Sequence, residues 1–229
     1  MIKLYNIDCV DLMKKYSDNY FDLAIVDPPY FTEYGKKNYT GNDINKKGIR
    51  RQTKKINYWK VPDQLYFDQL YRVSKNTIIW GCNYYQNYIK TSGRIIWYKK
   101  NLQSTFSKCE IASHSFGVRV DFFAYEWNGM IQQDMKNKEQ RIHPTQKPIA
   151  LYRWILDNYA KKGDKILDTH LGSGSSAIAA HQLGFDFVGS ELDKHFFESM
   201  QKRVKRTTSQ TNIFQTPEER TKKQLELIY

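Results

Sequence analysis

Short apolar runs alternate with longer stretches of helical apolar spacing along most of this chain. Runs rich in β-branched and aromatic residues predict strands. They lie at residues 2–5, 23–27, 77–81, 94–98, 109–113, 121–127, 165–168 and 186–190. Apolar residues three or four positions apart predict helices at residues 11–13, 62–74, 148–162, 177–183 and 193–206. Alternating strands and helices indicate an open α/β sheet that is mostly parallel.

The run Leu23-Ala24-Ile25-Val26 has the continuous apolar character of a strand buried on both faces. It stops at Asp27-Pro28-Pro29-Tyr30, because two prolines cannot continue a sheet ladder. Asp27 is therefore predicted at the carboxyl end of a strand. Ligands of open α/β sheets bind at that edge, so the carboxylate is expected to face a cleft.

These four residues suit catalysis at the exocyclic amine of a nucleic-acid base. The lone pair of such an amine is delocalised into the ring, so a catalyst must hold its hydrogens with fixed acceptors. Asp27 and the carbonyl of Pro28 can accept one hydrogen each, and Pro29 stiffens the turn. Tyr30 can stack on an extruded base, and the unperturbed pKa of about 3.9 keeps Asp27 ionised. A plain Pro-Pro turn with a capping acid is the simpler alternative.

A glycine turn follows a second predicted strand. Asp168 ends the strand, the segment Leu171-Gly172-Ser173-Gly174-Ser175 leads into a helix, and Glu191 ends the next strand nineteen positions after Gly172. Glycines let the backbone approach a ligand closely, and an acid such as Glu191 can accept ribose hydroxyls. Gly172, Gly174 and Ala177 also match a dinucleotide fingerprint, which makes a nicotinamide dehydrogenase an alternative. Against it, the turn lies late in the chain and Asp168 would repel a pyrophosphate.

Two further polar segments are predicted near the same edge. Asp8-Cys9 follows the first strand, where Asp8 either contacts a ligand or caps the next helix. The segment His143-Pro144-Thr145-Gln146-Lys147-Pro148 precedes a helix. Its rigid, polar character favours contact of Thr145 and Lys147 with an anionic ligand such as a carboxylate. The alternative is a segment that only starts the helix.

The charge balance indicates a polyanionic partner. The 229 residues carry a net charge of +12, with a pI near 9.4, and lysines and arginines that neutralise phosphates release counterions on binding. Basic residues concentrate between positions 31 and 61, directly after the proline motif, and predict a nucleic-acid clamp. A merely solvated loop is the alternative. The predicted DNA contacts are Lys36, Lys37, Arg50, Arg51, Lys54 and Lys55.

Other functional classes find little support. The cysteines Cys9, Cys82 and Cys109 lie far apart, which argues against a zinc site or a disulfide framework, and no metal is predicted. No segment resembles a signal peptide or a membrane span. A cytoplasmic protein with reduced thiols is expected.

Taken in chain order, these motifs resemble the β-group of DNA adenine-N6 methyltransferases, which use S-adenosylmethionine. The resemblance covers residues 2–206 and includes the stretches Trp80-Gly81-Cys82-Asn83, Trp97-Tyr98-Lys99 and Cys109-Glu110-Ile111-Ala112. It implies a circularly permuted, Rossmann-like sheet of seven strands with helices on both faces. It also implies that Asp27, Pro28, Pro29 and Tyr30 act in catalysis. The implied cofactor contacts are Asp8, Cys9, Asp27, His143, Thr145, Lys147, Asp168, Leu171, Gly172, Ser173, Gly174, Ser175 and Glu191.

The chain departs from the family pattern in two respects. Asp168-Thr169-His170-Leu171 stands where the family commonly has Asp-Pro-Phe, so Leu171 is expected to supply the apolar wall. The insertions are too short for a separate recognition domain, which predicts weak sequence reading, a homodimer or a separate specificity partner. Residues 1–206 form the predicted domain and 207–229 a tail. Cytosine-N4 methylation, RNA adenine methylation and an inactive cofactor-binding subunit remain alternatives.

Overall fold

The computed structural model describes residues 1–30, 61–101, 107–128 and 131–211 of the chain. Its centre is a sheet of eight strands in the order β1-β10-β9-β2-β3-β5-β4-β6, with β7 and β8 forming a separate hairpin. The strands are β1 (Ile2–Tyr5), β2 (Phe21–Val26), β3 (Ser74–Trp80), β4 (Gly93–Tyr98), β5 (Cys109–His114), β6 (Val120–Ala124), β7 (Trp127–Asn128), β8 (Ile131–Gln132), β9 (Lys165–Asp168) and β10 (Asp186–Ser190).

The sheet is parallel from β1 through β3, and among its described strands only β5 runs antiparallel to its neighbours. The expected mostly parallel α/β architecture is confirmed. The described part of the sheet has eight strands, as many as the apolar runs predicted, whereas the family resemblance implied seven. The edge strand β6 pairs in parallel with residues 94–98 of β4. Parallel pairing places the carboxyl ends of β1, β10, β9 and β2 side by side.

Helices cover both faces of the sheet. They are α1 (Cys9–Met13), α2 (Gln64–Val73), α3 (Ile149–Tyr159), α4 (Ser175–Leu183) and α5 (Lys194–Thr211). Leu23 and Ile25 of β2 pack in one core with α3, α4 and α5, while Ala24 and Val26 pack in a second core with α1 and α2. The alternation follows from the two-residue repeat of a strand and explains why β2 is apolar throughout.

Element boundaries differ from the predictions where local polar groups decide them. Asp63 caps α2 by accepting from the Tyr66 amide at 3.3 Å, so the helix starts after proline and not on it. After β3, Gly81 begins a 3-10 turn that includes Asn83. The last helix continues to Thr211, past the predicted end at Arg206. In its final turns the hydroxyls of Thr207, Thr208 and Ser209 donate to the carbonyls four positions earlier.

None of the helices in the described ranges combines the length and apolar character that a membrane span needs.

Candidate active site

Four acids stand in a row along one edge of the sheet. Asp27 follows β2, Asp168 ends β9, Glu191 follows β10 and Asp8 follows β1, and these strands are consecutive neighbours in the sheet. The pairing of Ala24 with Leu167 places Asp27 and Asp168 on adjacent strand ends. The two predicted motifs, the proline turn and the glycine turn, therefore share one edge.

Asp27 is held at both of its carboxylate oxygens. Oδ1 accepts a hydrogen bond from the hydroxyl of Tyr30, and Oδ2 forms an ion pair with the ammonium of Lys147. The side chains of Asp27 and Lys147 are only 13% and 4% exposed, so solvent screens their interaction weakly. Lys147 had been expected at the carboxylate of a ligand; its ammonium lies instead against Asp27.

Lys147 also pairs with a second carboxylate. Its Nζ lies 3.0 Å from Oε2 of Glu110, and Oε1 of Glu110 pairs with Lys99. The ammonium of Lys147 stands 5.5 Å from the ring centre of Trp80, and that of Lys99 stands 5.0 Å from that of Trp97. Both contacts are cation–π interactions.

Burial and these ion pairs shift the pKa values in different directions. Burial raises the pKa of Asp27 above its usual value, Lys147 opposes the rise and Glu110 adds to it. The expectation of an unperturbed pKa for Asp27 is therefore wrong. Burial alone would also raise the pKa of Glu110, but Lys147 and Lys99 hold it at about 2. Burial would lower the pKa of Lys147, whereas Asp27 and Glu110 raise it.

Aromatic residues hold the proline turn in place. The hydroxyl of Tyr85 donates to the carbonyl of Pro29 at 2.6 Å and lies 3.1 Å from that of Pro28. The ring of Tyr30 stacks on Tyr84 with ring centres 4.9 Å apart and planes 16° from parallel. Gly81 has a φ of +68°, and a Cβ there would overlap the Tyr30 ring at 2.0 Å. Glycine at this position lets Tyr30 lie close to the end of β3.

Asp168 is buried at the start of the glycine turn. Its Oδ2 accepts from the hydroxyl of Ser176 at 2.5 Å, and its Oδ1 accepts from the amide of His170 at 3.0 Å. Burial raises the pKa of Asp168 to about 7, although both donors oppose the rise and Asp27 adds to it. The described residues give Asp168 hydrogen-bond donors but no ion-pair partner.

Glu191 supports the glycine turn through its carboxylate. Oε2 accepts from the amide of Gly172 at 2.9 Å, and Oε1 accepts from the amide of Asp193 at 3.0 Å. Burial raises the pKa of Glu191 despite these donors. Since an ionised carboxylate has about four acceptor positions, both oxygens can still accept another hydrogen.

The two glycines of the turn have different neighbours. Gly172 has a φ of +49°, and a Cβ there would lie 3.3 Å from the ring of His143. Gly174 has a φ of +75°, and a Cβ there would lie 2.6 Å from Met200. Close packing of α4 on α5 therefore explains Gly174, whereas Gly172 lies beside the other predicted ligand segment.

The remaining members of the turn are buried. Leu171 lies against Gly189 of β10, where any Cβ would meet its side chain at 2.6 Å. The carbonyl of Ser173 accepts from Arg203 at 2.7 Å. The hydroxyl of Ser175 donates to the carbonyl of Lys147 at 2.7 Å, which ties the glycine turn to the segment that carries Lys147.

A DNA methylase family model, that of the N6 and N4 methyltransferases, matches residues 21–202. The chain belongs to this DNA methylase family. The match covers both strand ends that carry Asp27 and Asp168 and favours a methyltransferase over the dehydrogenase alternative.

Two curated relatives agree with this assignment. The chain is 25% identical to the type II methyltransferase M2.MboI of Moraxella bovis over 90% of this chain and 88% of that protein. It is 24% identical to the type II methyltransferase M.HinfI of Haemophilus influenzae over 86% of this chain and 67% of that protein.

Solved structures share the fold at lower identity. The complex of M1.HpyAVI with SAM is 19% identical and superposes with a TM-score of 0.56 over 89% of this chain and all of that one. The cytosine-N4-specific PvuII DNA methyltransferase is 11% identical and has a TM-score of 0.57 over 91% of this chain and 90% of that one.

The other predicted contacts of this DNA methylase family member have local partners. Thr145 lies beside His143, with Oγ1 3.1 Å from Nδ1, and burial first and Lys147 second lower the pKa of His143 to about 4. Asp8 caps α1 by accepting from the amides of Val10 and Asp11 at 2.8 and 3.4 Å. Burial, with a smaller contribution from Asp8, raises the pKa of Cys9 to about 12, so its thiol stays protonated. The six predicted DNA contacts, Lys36, Lys37, Arg50, Arg51, Lys54 and Lys55, lie outside the described residues.

Sequence reasoning gave no role to Glu110 and Lys99. Both lie in stretches of family resemblance, but neither has a partner nearby in sequence. The available signal was a charged residue next to apolar ones within a predicted strand, as Glu110 is beside Ile111 and Ala112, because a buried charge needs a partner.

Proposed function

We propose that this DNA methylase family member transfers the methyl group of S-adenosylmethionine to N6 of adenine in DNA. The observation that carries the proposal is the side-by-side placement of Asp27 and Asp168 at the ends of β2 and β9. It gives one edge of the sheet an acceptor for a base amine and a buried acid for a ligand cation. The order of the motifs, with the proline turn before the glycine turn, supports the permuted β-group within the family.

The residues at this edge suit the proposed cofactor. Asp168 is buried, with a pKa of about 7, and the described residues give it no cation. An amino-acid ammonium would stabilise its charged form. Glu191 keeps acceptor positions for ribose hydroxyls, and Gly172 keeps side-chain atoms away from the cleft. We assign the cofactor to Asp168, Glu191 and the backbone near Gly172, with Thr145 beside them.

When bound, S-adenosylmethionine supplies an electrophilic methyl group on a sulfonium. The protein contributes orientation and charge. Asp27 accepts one N–H of the amine, and the carbonyl of Pro28 accepts the other. The hydroxyl of Tyr85 fixes both carbonyls, and the Tyr30–Tyr84 pair provides the aromatic surface for the base. The carboxylate of Asp27 stabilises the positive charge that develops on the amine.

The choice of adenine depends on the residue at position 27. Family resemblance associates aspartate at this place with adenine and serine with cytosine-N4 methylation. The fold does not exclude cytosine-N4 methylation, because the cytosine-N4-specific PvuII enzyme superposes on this chain with a TM-score of 0.57.

The test is methyl transfer from radiolabelled S-adenosylmethionine to DNA and, in a parallel reaction, to RNA, followed by nucleoside analysis. Labelled N6-methyldeoxyadenosine supports the proposal. Labelled N4-methyldeoxycytidine would assign the other base, and label only in RNA would assign the other nucleic acid. Cofactor and DNA binding without any transfer would indicate an inactive subunit.

A further inference from the structure

Four charged side chains of alternating sign form a chain of ion pairs at the carboxyl ends of β2 and β4 and the start of β5. Lys99 pairs with Glu110, Glu110 lies 3.0 Å from Lys147, and Lys147 pairs with Asp27. The exposure of these side chains ranges from 4% to 23%. Because solvent screens such pairs weakly, a change of charge at Lys99 alters the electrostatic interactions of Asp27.

The main chain of Lys147 is fixed independently of these charges. Its carbonyl accepts the hydroxyl of Ser175, a buried residue at the start of α4. The ammonium of Lys147 can therefore move only a short distance, and its position depends on its attraction to the carboxylates of Asp27 and Glu110. Glu110 and Asp27 compete for one cation.

We propose that Glu110 is a positioning residue that limits how far Lys147 neutralises Asp27, and that Lys99 limits the pull of Glu110. This inference rests on the proposed function, in which Asp27 must accept a hydrogen from the base amine. A carboxylate fully paired with an ammonium is a weaker acceptor for a third group. By drawing part of the Lys147 charge, Glu110 keeps Asp27 available.

Six titratable groups act on Asp27 from the surrounding elements. They are Lys147, Glu110, Tyr30, Tyr85, Tyr152 and Asp168. Lys147 is the single cation among these described groups, so its position dominates the balance. The directions agree with the geometry, since Lys147 lowers the pKa of Asp27 and Glu110 raises it.

The experiment compares Glu110→Gln with Lys99→Met in the full chain. Carboxyl ¹³C resonances of aspartates are titrated by NMR, and Asp27 is assigned from the spectrum of Asp27→Asn. Glu110→Gln frees Lys147 to pair with Asp27 alone, so the pKa of Asp27 falls by about one unit. Lys99→Met leaves Glu110 to attract Lys147 more strongly, so the pKa of Asp27 rises. A change of packing alone has no reason to produce opposite signs.

The matched control is Glu198→Gln, which removes a negative charge from an exposed position on α5. It leaves the titration of Asp27 unchanged. In steady-state assays, Glu110→Gln lowers kcat by about 3- to 10-fold, leaves KM for both substrates unchanged and moves the acidic limb of the pH profile to lower pH.

Equal titration curves for wild type and both variants, or shifts of the same sign, overturn the inference. If Glu110→Gln does not fold, the inference is overturned when the pKa of Asp27 in Lys99→Met is unchanged or lowered. The NMR titration needs no methyl transfer. An inactive wild type with the two opposite shifts would therefore contradict the proposed function and retain the coupling between Glu110 and Asp27.

Discussion

The carboxylate of Asp27 has partners on both oxygens before any substrate binds. Replacing it by alanine removes the proposed acceptor for the base amine, while Asp168, Glu191 and the glycine turn keep their own contacts. Asp27→Ala is therefore expected to lower methyl transfer by roughly 10²-fold or more and to retain cofactor binding. Single-turnover transfer and calorimetric binding of S-adenosylmethionine measure the two effects.

Asp27→Asn is the conservative companion of that variant. It keeps the shape of the side chain and one carbonyl acceptor but removes the charge, so a loss of transfer without loss of folding points to charge stabilisation. Lys147 keeps Glu110 as a partner in both variants. Normal transfer by either variant would remove Asp27 from the mechanism.

The pKa of Asp168 predicts how cofactor binding depends on pH. Because burial raises this pKa to about 7, the folded protein without cofactor carries a largely protonated Asp168 at pH 6 and an ionised one at pH 8. Only the ionised form attracts an ammonium. Affinity for S-adenosylmethionine is therefore expected to fall as pH drops below 7, approaching about tenfold per unit. Calorimetric titrations between pH 5.5 and 8 measure this slope.

Asp168→Asn provides the control for that pH dependence. The amide can still accept from Ser176 or His170, but it carries no titrating charge. Binding to the variant is expected to be weaker at pH 8 and nearly flat with pH. A slope equal to that of wild type would mean that another group titrates.

At the scale of elements, the start of α4 is fixed by its contact with α5. Gly174→Ala forces a Cβ to within 2.6 Å of Met200 at a φ of +75°, so crowding and backbone strain add. A loss of stability of about 2–4 kcal/mol is expected in urea denaturation. Gly184→Ala is the matched control, because Gly184 has a φ of +77° with no atom within 4 Å of the added Cβ. It is expected to cost only about 1 kcal/mol, and equal losses would contradict the role of crowding.

Elements with a strong local pattern were predictable from the sequence. The bounds of β1, β9 and β10 agree with the prediction because each is a short apolar run that ends in polar or turn-forming residues. The 3-10 turn after β3 was not predicted, because the approach of Tyr30 to Gly81 shapes the chain there. Contacts between distant segments decide such positions, and periodicity does not report them.

For the molecule as a whole, the sequence predicted which acids lie at one edge of the sheet, but it did not predict the ion pairs that form there. Strand ends on parallel strands meet by topology, so Asp8, Asp27, Asp168 and Glu191 were expected at one edge. The pairing of Lys147 with Asp27 and Glu110 joins positions that are 120 and 37 residues away. Such a pairing depends on how the segment before α3 crosses the sheet, which no spacing in the sequence encodes.

The net charge of +12 is expected to attract DNA. Substitutions in the basic stretch after the proline turn test whether that stretch contacts the phosphates. Replacing Lys54 and Lys55 by alanine is expected to weaken DNA binding and to flatten the plot of log affinity against log salt by about one unit per lost phosphate contact.

The control is the exposed pair Lys161 and Lys162, which precedes β9 and so lies at the opposite edge of the sheet from Asp27. Both double variants lose the same charge. Fluorescence anisotropy with a labelled duplex at several salt concentrations distinguishes them. Equal slopes for the two variants would mean that net charge alone attracts DNA, whereas a reduced slope confined to the Lys54 and Lys55 variant assigns phosphate contacts to the basic stretch that follows the proline turn in sequence.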